Sequence, residues 1–276
     1  MPNINFVKMS EDEFVKEAIG IVEKAHSRGL ELRILGSLAT YIHSVNNGHV
    51  DMFRSLERFG EGQPLFTDLD LAAYGKQRGE ITKFMRELNF APNMVVNGMF
   101  GRTRLIYYHP ENKYHIDLFL NKLEFSHDVK FGEKPGSGRL ELDYPTISPA
   151  DIVLEKVQIH QINRKDLIDL VALFLIHDVQ EQNSKDAIDG SYIAKVLAND
   201  WGFWYDATIN ITSVKTLVEQ LREQGKITDA QSQTVMQRLD KLLNMIANAP
   251  KSRDWEKRAK VGTSKLWYRD VEEVVR

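Results

Sequence analysis

The segment Thr67-Asp68-Leu69-Asp70-Leu71 constrains this chain more than any other stretch. Two carboxylates separated by one apolar residue read as a β-strand, on which alternate side chains share a face. Asp68 and Asp70 then stand side by side, while Leu69 and Leu71 turn into a core. Neighbouring carboxylates repel unless a cation lies between them, and an all-oxygen donor set suits a hard divalent ion. The segment therefore demands a sheet, a core behind it, and a cation or cationic side chain in front.

The rest of the composition narrows the classes available. With 276 residues, 42% hydrophobic and 27% charged, one large domain or two modest ones can form. No apolar run approaches the ~20 residues that span a bilayer, so no membrane association is expected. Met1-Pro2-Asn3-Ile4-Asn5-Phe6 lacks the basic and apolar regions of a secretory signal, which makes a cytoplasmic protein the economical expectation. Zero cysteines exclude disulfides, thiolate metal sites and a cysteine nucleophile. A net charge of −3 gives no overall attraction to nucleic acid. Locally, Lys251, Arg253, Lys257, Arg258, Lys260, Lys265 and Arg269 alternate with Trp255, Trp267 and Tyr268. Such a stretch can grip a phosphate backbone and stack on bases, although a terminal helix with docked tryptophans is the plainer reading.

Ser10-Glu11-Asp12-Glu13 is a capping box, followed by Phe14, Ala18, Ile21, Val22 and Ala25 at helical spacing. Residues 31–35 read as a strand, after which Ser37 is placed to cap a helix carrying Leu38, Tyr41, Ile42 and Val45. Residues 50–62 suggest a helix or loop. Strands are expected over 66–73, 93–97, 103–108 and 114–120, with a helix over 79–88. On the last of those strands Ile116, Leu118 and Leu120 line one face, and His115, Asp117 and Phe119 the other. The glycine-rich stretch 132–139 reads as a hairpin connection rather than a phosphate cradle. After Pro145 the pattern turns helical, with candidates at 149–162, 164–178, 190–199, 212–224, 228–248 and from 251. The expected class is α+β, a mixed sheet with flanking helices followed by an α-helical domain. The expected domains are 1–147 and 148–276.

Asp117 lies among apolar residues on a neighbouring strand, where an acid needs a partner or a cation. Gly36-Ser37 sits where a strand hands over to a helix, so glycine, hydroxyl and helical N–H groups can meet a phosphate. In two-metal phosphoryl transfer, ions roughly 3.5–4 Å apart clamp the attacking and leaving oxygens. Asp68, Asp70 and Asp117 supply the acids for that chemistry and Ser37 the donor-phosphate contact. Arg102 and Arg104 alternate onto one strand face and read as surface charge. His115 shares a face with Asp117. The remaining histidines lack the spacing of a zinc site. Trp201-Gly202-Phe203-Trp204-Tyr205 reads as packing between helices.

Gly36-Ser37, Asp68-Leu69-Asp70 and Asp117 resemble the nucleotidyltransferase superfamily related to DNA polymerase β, over about residues 30 to 123. The separation between Gly36-Ser37 and Asp68 is longer than in compact members of that superfamily, as though residues 46–65 were inserted. A second stretch, Leu154-Glu155-Lys156-Val157 followed by Arg164-Lys165-Asp166-Leu167-Ile168-Asp169-Leu170, is similar to the lysine and Arg-x-Asp-Leu-x-Asp-Leu motifs of abortive-infection toxin nucleotidyltransferases. The resemblance implies catalytic, metal-holding roles for Asp68, Asp70 and Asp117. It implies nucleotide contacts for Gly36, Ser37, Lys156 and Asp166. It further implies Mg²⁺ or Mn²⁺, a nucleoside triphosphate donor, tRNA or another RNA as acceptor, and a cognate antitoxin protein. Taken without it, Asn163 and Asp166 also fit a helix cap with its acid in the first turn, and Asp169 could pair with Lys165. Two rival expectations are a small-molecule adenylyltransferase of the aminoglycoside type, with a carboxylate-rich acceptor cleft, and a non-catalytic nucleotide-binding module.

Overall fold

The computed structural model describes residues 9–58, 65–182, 184 and 186–270. Chain order begins with α1 (Glu11–His26), β1 (Leu32–Ile34), α2 (Gly36–Asn46) and α3 (Val50–Ser55), then β2 (Leu69–Ala73) and α4 (Arg78–Glu87). There follow β3 (Ala91–Pro92), α5 (Met94–Phe100), β4 (Arg104–Tyr108), β5 (His115–Leu120), β6 (Lys122–Glu124) and β7 (Asp128–Lys130). The rest is α6 (Pro149–Val157), α7 (Arg164–Ile176), β8 (Val179–Gln180), β9 (Ile188–Asp189), α8 (Gly190–Leu197), α9 (Trp201–Glu223), α10 (Asp229–Asn248) and α11 (Arg253–Val261). The architecture is thus mixed α+β. Gly60, Gly62 and Pro64, expected to close the segment after α3, lie outside the described residues.

The chain divides into two compact units. The first comprises Met1–Ile42, Glu61–Leu123 and Lys130–Ser148; the second comprises His43–Gly60, Glu124–Val129 and Pro149–Arg276. Two short segments, His43–Gly60 and Glu124–Val129, are grouped with the second unit rather than with their neighbours in sequence. One of them begins within α2, a single helix whose first turns belong to one unit and whose last belongs to the other.

In the first unit a five-stranded sheet runs in the order β1-β2-β5-β4-β3. β2 and β5 are parallel, and the other neighbours are antiparallel. All six residues of β5 are buried, so this central strand is covered on both faces rather than alternating between core and solvent. The apolar stripe of α1 and Ile81, Phe84 and Met85 of α4 are buried with it. α1 opens with the expected reciprocal capping box between Ser10 and Glu13.

Several local elements depart from the sequence expectation for visible reasons. β2 starts at Leu69, leaving Asp68 just ahead of it. β1 ends with Ile34 opposite Leu71, and Gly36 (φ +73°) then turns the chain into α2, so the β1–β2 pairing does not extend back to Asp68. α2 begins at Gly36, which places Ser37 inside the first turn rather than at the cap. Residues 132–139 are irregular as expected, but they connect β7 to a single 3₁₀ turn over Leu140–Leu142 instead of closing a hairpin.

Residues 93–97, expected as a strand, start α5: the Asn93 side chain accepts from Val96 N–H at 3.0 Å and caps the helix. One turn on, Asn97 donates to the Ile106 carbonyl (3.1 Å) and accepts from the Ile106 N–H (2.7 Å). Its amide stands in for a strand along the outer edge of β4, where β3 has already ended at Pro92 opposite Tyr107.

In the second unit, α9 is a 23-residue helix that starts eleven residues before its expected N-terminus, because Asp200 accepts from Phe203 N–H and caps it. Asn210 of α9 donates to the carbonyls of Val157 (3.0 Å) and Ile159 (2.7 Å), satisfying the C-terminal end of α6. α6 accordingly stops at Val157, short of the expected residue 162. β8 and β9 form a two-residue parallel pair that the periodicity does not reveal.

Replacing Asn97 with Ala should leave the Ile106 N–H unpaired beside a buried side chain and cost about 1–3 kcal/mol in urea unfolding. An unchanged midpoint would show that α5 does not hold the edge of β4.

Candidate active site

The first unit gathers the strand acids at one end of its sheet. Asp70 and Asp117 are register partners on the parallel pair β2 and β5, so their side chains project side by side. Asp117 is completely buried. Arg104, on β4, donates from Nε to Oδ1 at 3.0 Å and from Nη2 to Oδ2 at 2.8 Å. Ile106 is the residue directly opposite Asp117, and Arg104 reaches it along the diagonal, its guanidinium lying 5.4 Å from the ring centroid of Phe119. This two-point fork is the strong form of a charge-assisted hydrogen bond. Arg104 is therefore not the surface charge that strand alternation suggested.

His115 stands between two of the acids. Its Nε2 is 3.7 Å from Asp68 Oδ2 and 3.8 Å from Asp117 Oδ2, which brings Asp68 to the same end of the sheet although it precedes β2. Thr67 donates its hydroxyl to Asp68 Oδ1 at 3.1 Å. Gly36 and Ser37 also arrive here, because Leu35 N–H donates to the Asp70 carbonyl at 3.1 Å and the chain then turns into α2. Asp68, Asp70, Asp117, Gly36 and Ser37 thus all belong to one neighbourhood of the first unit.

By chemistry, three carboxylates suit Mg²⁺ or Mn²⁺. By position, the fit is incomplete. Among the described residues no group of three His, Asp or Glu side chains is arranged to hold a metal ion. Both oxygens of Asp117 are engaged by Arg104. The cation in front of this acid is a guanidinium.

Lys156 and Asp166 lie in the second unit. The Lys156 ammonium is buried and meets Asp166 Oδ1 at 2.9 Å, Asp169 Oδ2 at 3.1 Å and Glu155 Oε1 at 3.5 Å. Arg58 Nε adds a 2.8 Å bond to Asp169 Oδ1. Burial opposes the charge on Lys156, yet Asp166, Asp169 and Glu155 hold its pKa well above the ordinary lysine value. Burial likewise pushes the Asp166 carboxyl up, but the ammonium beside it wins and lowers it. Asn163 caps α7 through Asp166 N–H at 3.1 Å. Asp169 pairs with Lys156 and Arg58, which sequence spacing could not anticipate.

Another buried acid of this unit, Asp206 on α9, accepts from His127 Nε2 (2.8 Å), His160 Nδ1 (3.0 Å) and Trp267 Nε1 (3.1 Å). Tyr268 stacks on His160 with ring centroids 3.5 Å apart, and Trp255 meets Trp204 edge-on at 5.1 Å. The aromatic residues of the basic C-terminal stretch are thus docked within their own unit. Trp201 and Tyr205 stack at 5.2 Å as packing residues. No helix among the described residues is long and apolar enough to cross a membrane.

No protein-family model matches the chain. No curated protein matches it at a significant level. Among solved structures it is similar to an antigenic nucleotidyltransferase-like protein from Paracoccidioides brasiliensis, at 14% identity and a TM-score of 0.40, over 90% of this chain and 98% of that one. So distant a likeness carries no weight for what the chain does.

The Lys156 network generates a stability prediction. A carboxyl lowered on folding, as Asp166 is, contributes stability above its unfolded pKa of about 3.9 and loses it as pH falls through the lower folded value. Lys156→Met should cost about 3–5 kcal/mol at neutral pH, because it strands buried carboxylates. Its deficit against wild type should shrink as the buffer is taken down through the carboxylate range. A loss under about 1 kcal/mol, or a pH-independent deficit, would contradict this account of the network.

Proposed function

We propose that the chain is a nucleotidyltransferase that moves a nucleoside monophosphate from a nucleoside triphosphate to an acceptor hydroxyl. The observation carrying this reading is the register pairing of Asp70 with Asp117 on adjacent parallel strands, with Asp68 and the Gly36 turn at the same end. That is the placement the resemblance to the DNA polymerase β-related superfamily requires.

In this reading Gly36 adopts a left-handed backbone that side chains disfavour, and the start of α2 with the Ser37 hydroxyl is the part that meets the anionic donor. Asp68, Asp70 and Asp117 would hold Mg²⁺ or Mn²⁺, which when bound supplies the positive charge that neutralises the triphosphate. The acceptor oxygen forms its bond to the α-phosphorus as the bond to pyrophosphate breaks. The hydroxyl proton passes to a carboxylate of the set. Asp68 and Asp70, both partly exposed, are the acids a substrate can reach first. Lys156 and Asp166 receive a different role from the one the toxin-type motifs imply. Their charges are spent on each other, and we assign them to fixing α6 against α7.

The toxin-type motifs make tRNA the first acceptor to try and a cognate antitoxin the first protein partner. The clamp on Asp117 favours a second reading, a nucleotide-binding module in which Arg104 has permanently replaced the cation. Incubation with Mn²⁺ or Mg²⁺, labelled nucleoside triphosphates and total tRNA separates the two. Transfer of label to RNA, reduced to background by Asp70→Asn, is the expected outcome. Nucleotide binding without label on RNA, on the protein itself or on an added aminoglycoside would overturn the enzymatic reading.

A further inference from the structure

We infer that α5 is a docking surface for a partner protein, one that presents an apolar face edged with acidic side chains. The inference uses none of the site acids and stands apart from the nucleotidyl-transfer reading.

A surface helix ordinarily spends its apolar residues on the body it lies against. α5 does not. It is fastened by amides: Asn93 caps it and donates to the Tyr108 hydroxyl at 2.9 Å, while Asn97 takes both backbone groups of Ile106. Val96 is its one buried residue. Met94, Val95 and Met99 are 77%, 70% and 71% exposed, the three most exposed large apolar side chains among the described residues. Together with Gly98 they share one helix face by their spacing, opposite Val96 and Asn97. Contiguous exposed apolar residues mark interaction sites, and methionine is favoured in protein interfaces.

The two glycines of this region differ in a telling way. A Cβ at Gly101 would run into the Asn97 carbonyl and lie 2.9 Å from the Arg78 guanidinium, so the fold itself requires glycine there. A Cβ at Gly98 would meet nothing within 4 Å, and the helical backbone at this position suits any residue. Glycine inside a helix costs stability relative to alanine, and no contact within the chain calls for it at 98. What it provides is a bare strip between Met94, Val95 and Met99, where another backbone can come close.

The charge at the rim decides the class of partner. No aspartate or glutamate occurs between Glu87 and Glu111. Arg102 is exposed just beyond α5, and the exposed Arg78 brings its guanidinium to Gly101 at the end of the helix. An apolar face with a cationic edge complements an apolar face with an acidic edge. Pairing with a second copy about a two-fold axis would instead bring arginines toward arginines. RNA is a poorer match, because Met94, Val95 and Met99 offer no aromatic platform on which bases stack.

The test is selection of a random peptide library, displayed on phage, against the full chain, followed by fluorescence anisotropy on each enriched peptide. Enriched peptides should carry Leu, Phe or Trp flanked by Asp or Glu. They should bind Gly98→Gln at least about tenfold more weakly than wild type, because a side chain then fills the strip, and should also lose affinity for Arg102→Glu. Gly98→Gln should melt no lower than wild type, so that the loss reports the surface and not the fold. Peptides that bind Gly98→Gln as tightly as wild type, or that lack acidic residues, would overturn the inference. So would a wild-type dimer in sedimentation velocity that Gly98→Gln dissociates, which would seat a second copy on α5. Labelled total tRNA that wild type binds and Gly98→Gln releases would overturn it as well, assigning the face to RNA. Should Gly98→Gln melt lower, Met94→Ser combined with Met99→Ser carries the same expectation, and affinities equal to wild type in that variant would overturn the inference.

Discussion

A carboxylate with no exposed surface, set in the middle of a central strand, is the costliest feature of the first unit. Removing an ion of that size from water carries an effective penalty of several kcal/mol even after relaxation. Asp117 meets it through the Arg104 fork, and the fork in turn demands a fixed register between β4 and β5, with Arg104 opposite Phe119 and reaching diagonally. β4 has only a short outer neighbour, so its alignment draws on α5, where the Asn97 amide bonds both backbone groups of Ile106. The edge helix, the strand register and the site acid form one connected arrangement.

The second unit solves the same problem with helices. Lys156 on α6 sits among Glu155 beside it and Asp166 and Asp169 on α7, with Arg58 supplying further positive charge to Asp169. Buried pairs of this kind are hard to justify as net stabilisation, because apolar packing of similar volume serves as well. Removing one partner is nevertheless severe. That asymmetry is why these residues fix the α6–α7 corner whatever the unit binds.

What the sequence made legible was periodic. Alternation of Leu69, Asp70 and Leu71, apolar flanks around Asp117, and the Ser10 capping box each specify a local geometry that long-range contacts did not override. The helices at α1, α4, α7 and α10 were readable for the same reason. Arg104 was not, because a diagonal cross-strand pair thirteen residues apart has no local signature and reads as alternating surface charge. The Asn97 amide hid α5 behind a Val95-Val96 pair that favours strands. The aromatic run Trp201–Tyr205 masked the first turns of α9, where the Asp200 cap was the clue. The assignment of Lys156 and Asp166 to a nucleotide contact came from motif resemblance alone, and their burial against one another is a property that only three-dimensional packing displays.

The most direct examination of the central claim is a crystal structure with Mn²⁺ and a non-hydrolysable nucleoside triphosphate, with the ion located by its anomalous signal. The account predicts an anomalous peak at coordination distance from Asp70 and Asp117, with the Arg104 fork withdrawn and the triphosphate against the start of α2. A peak elsewhere with the fork intact, or nucleotide bound away from Gly36 and Ser37, would contradict it.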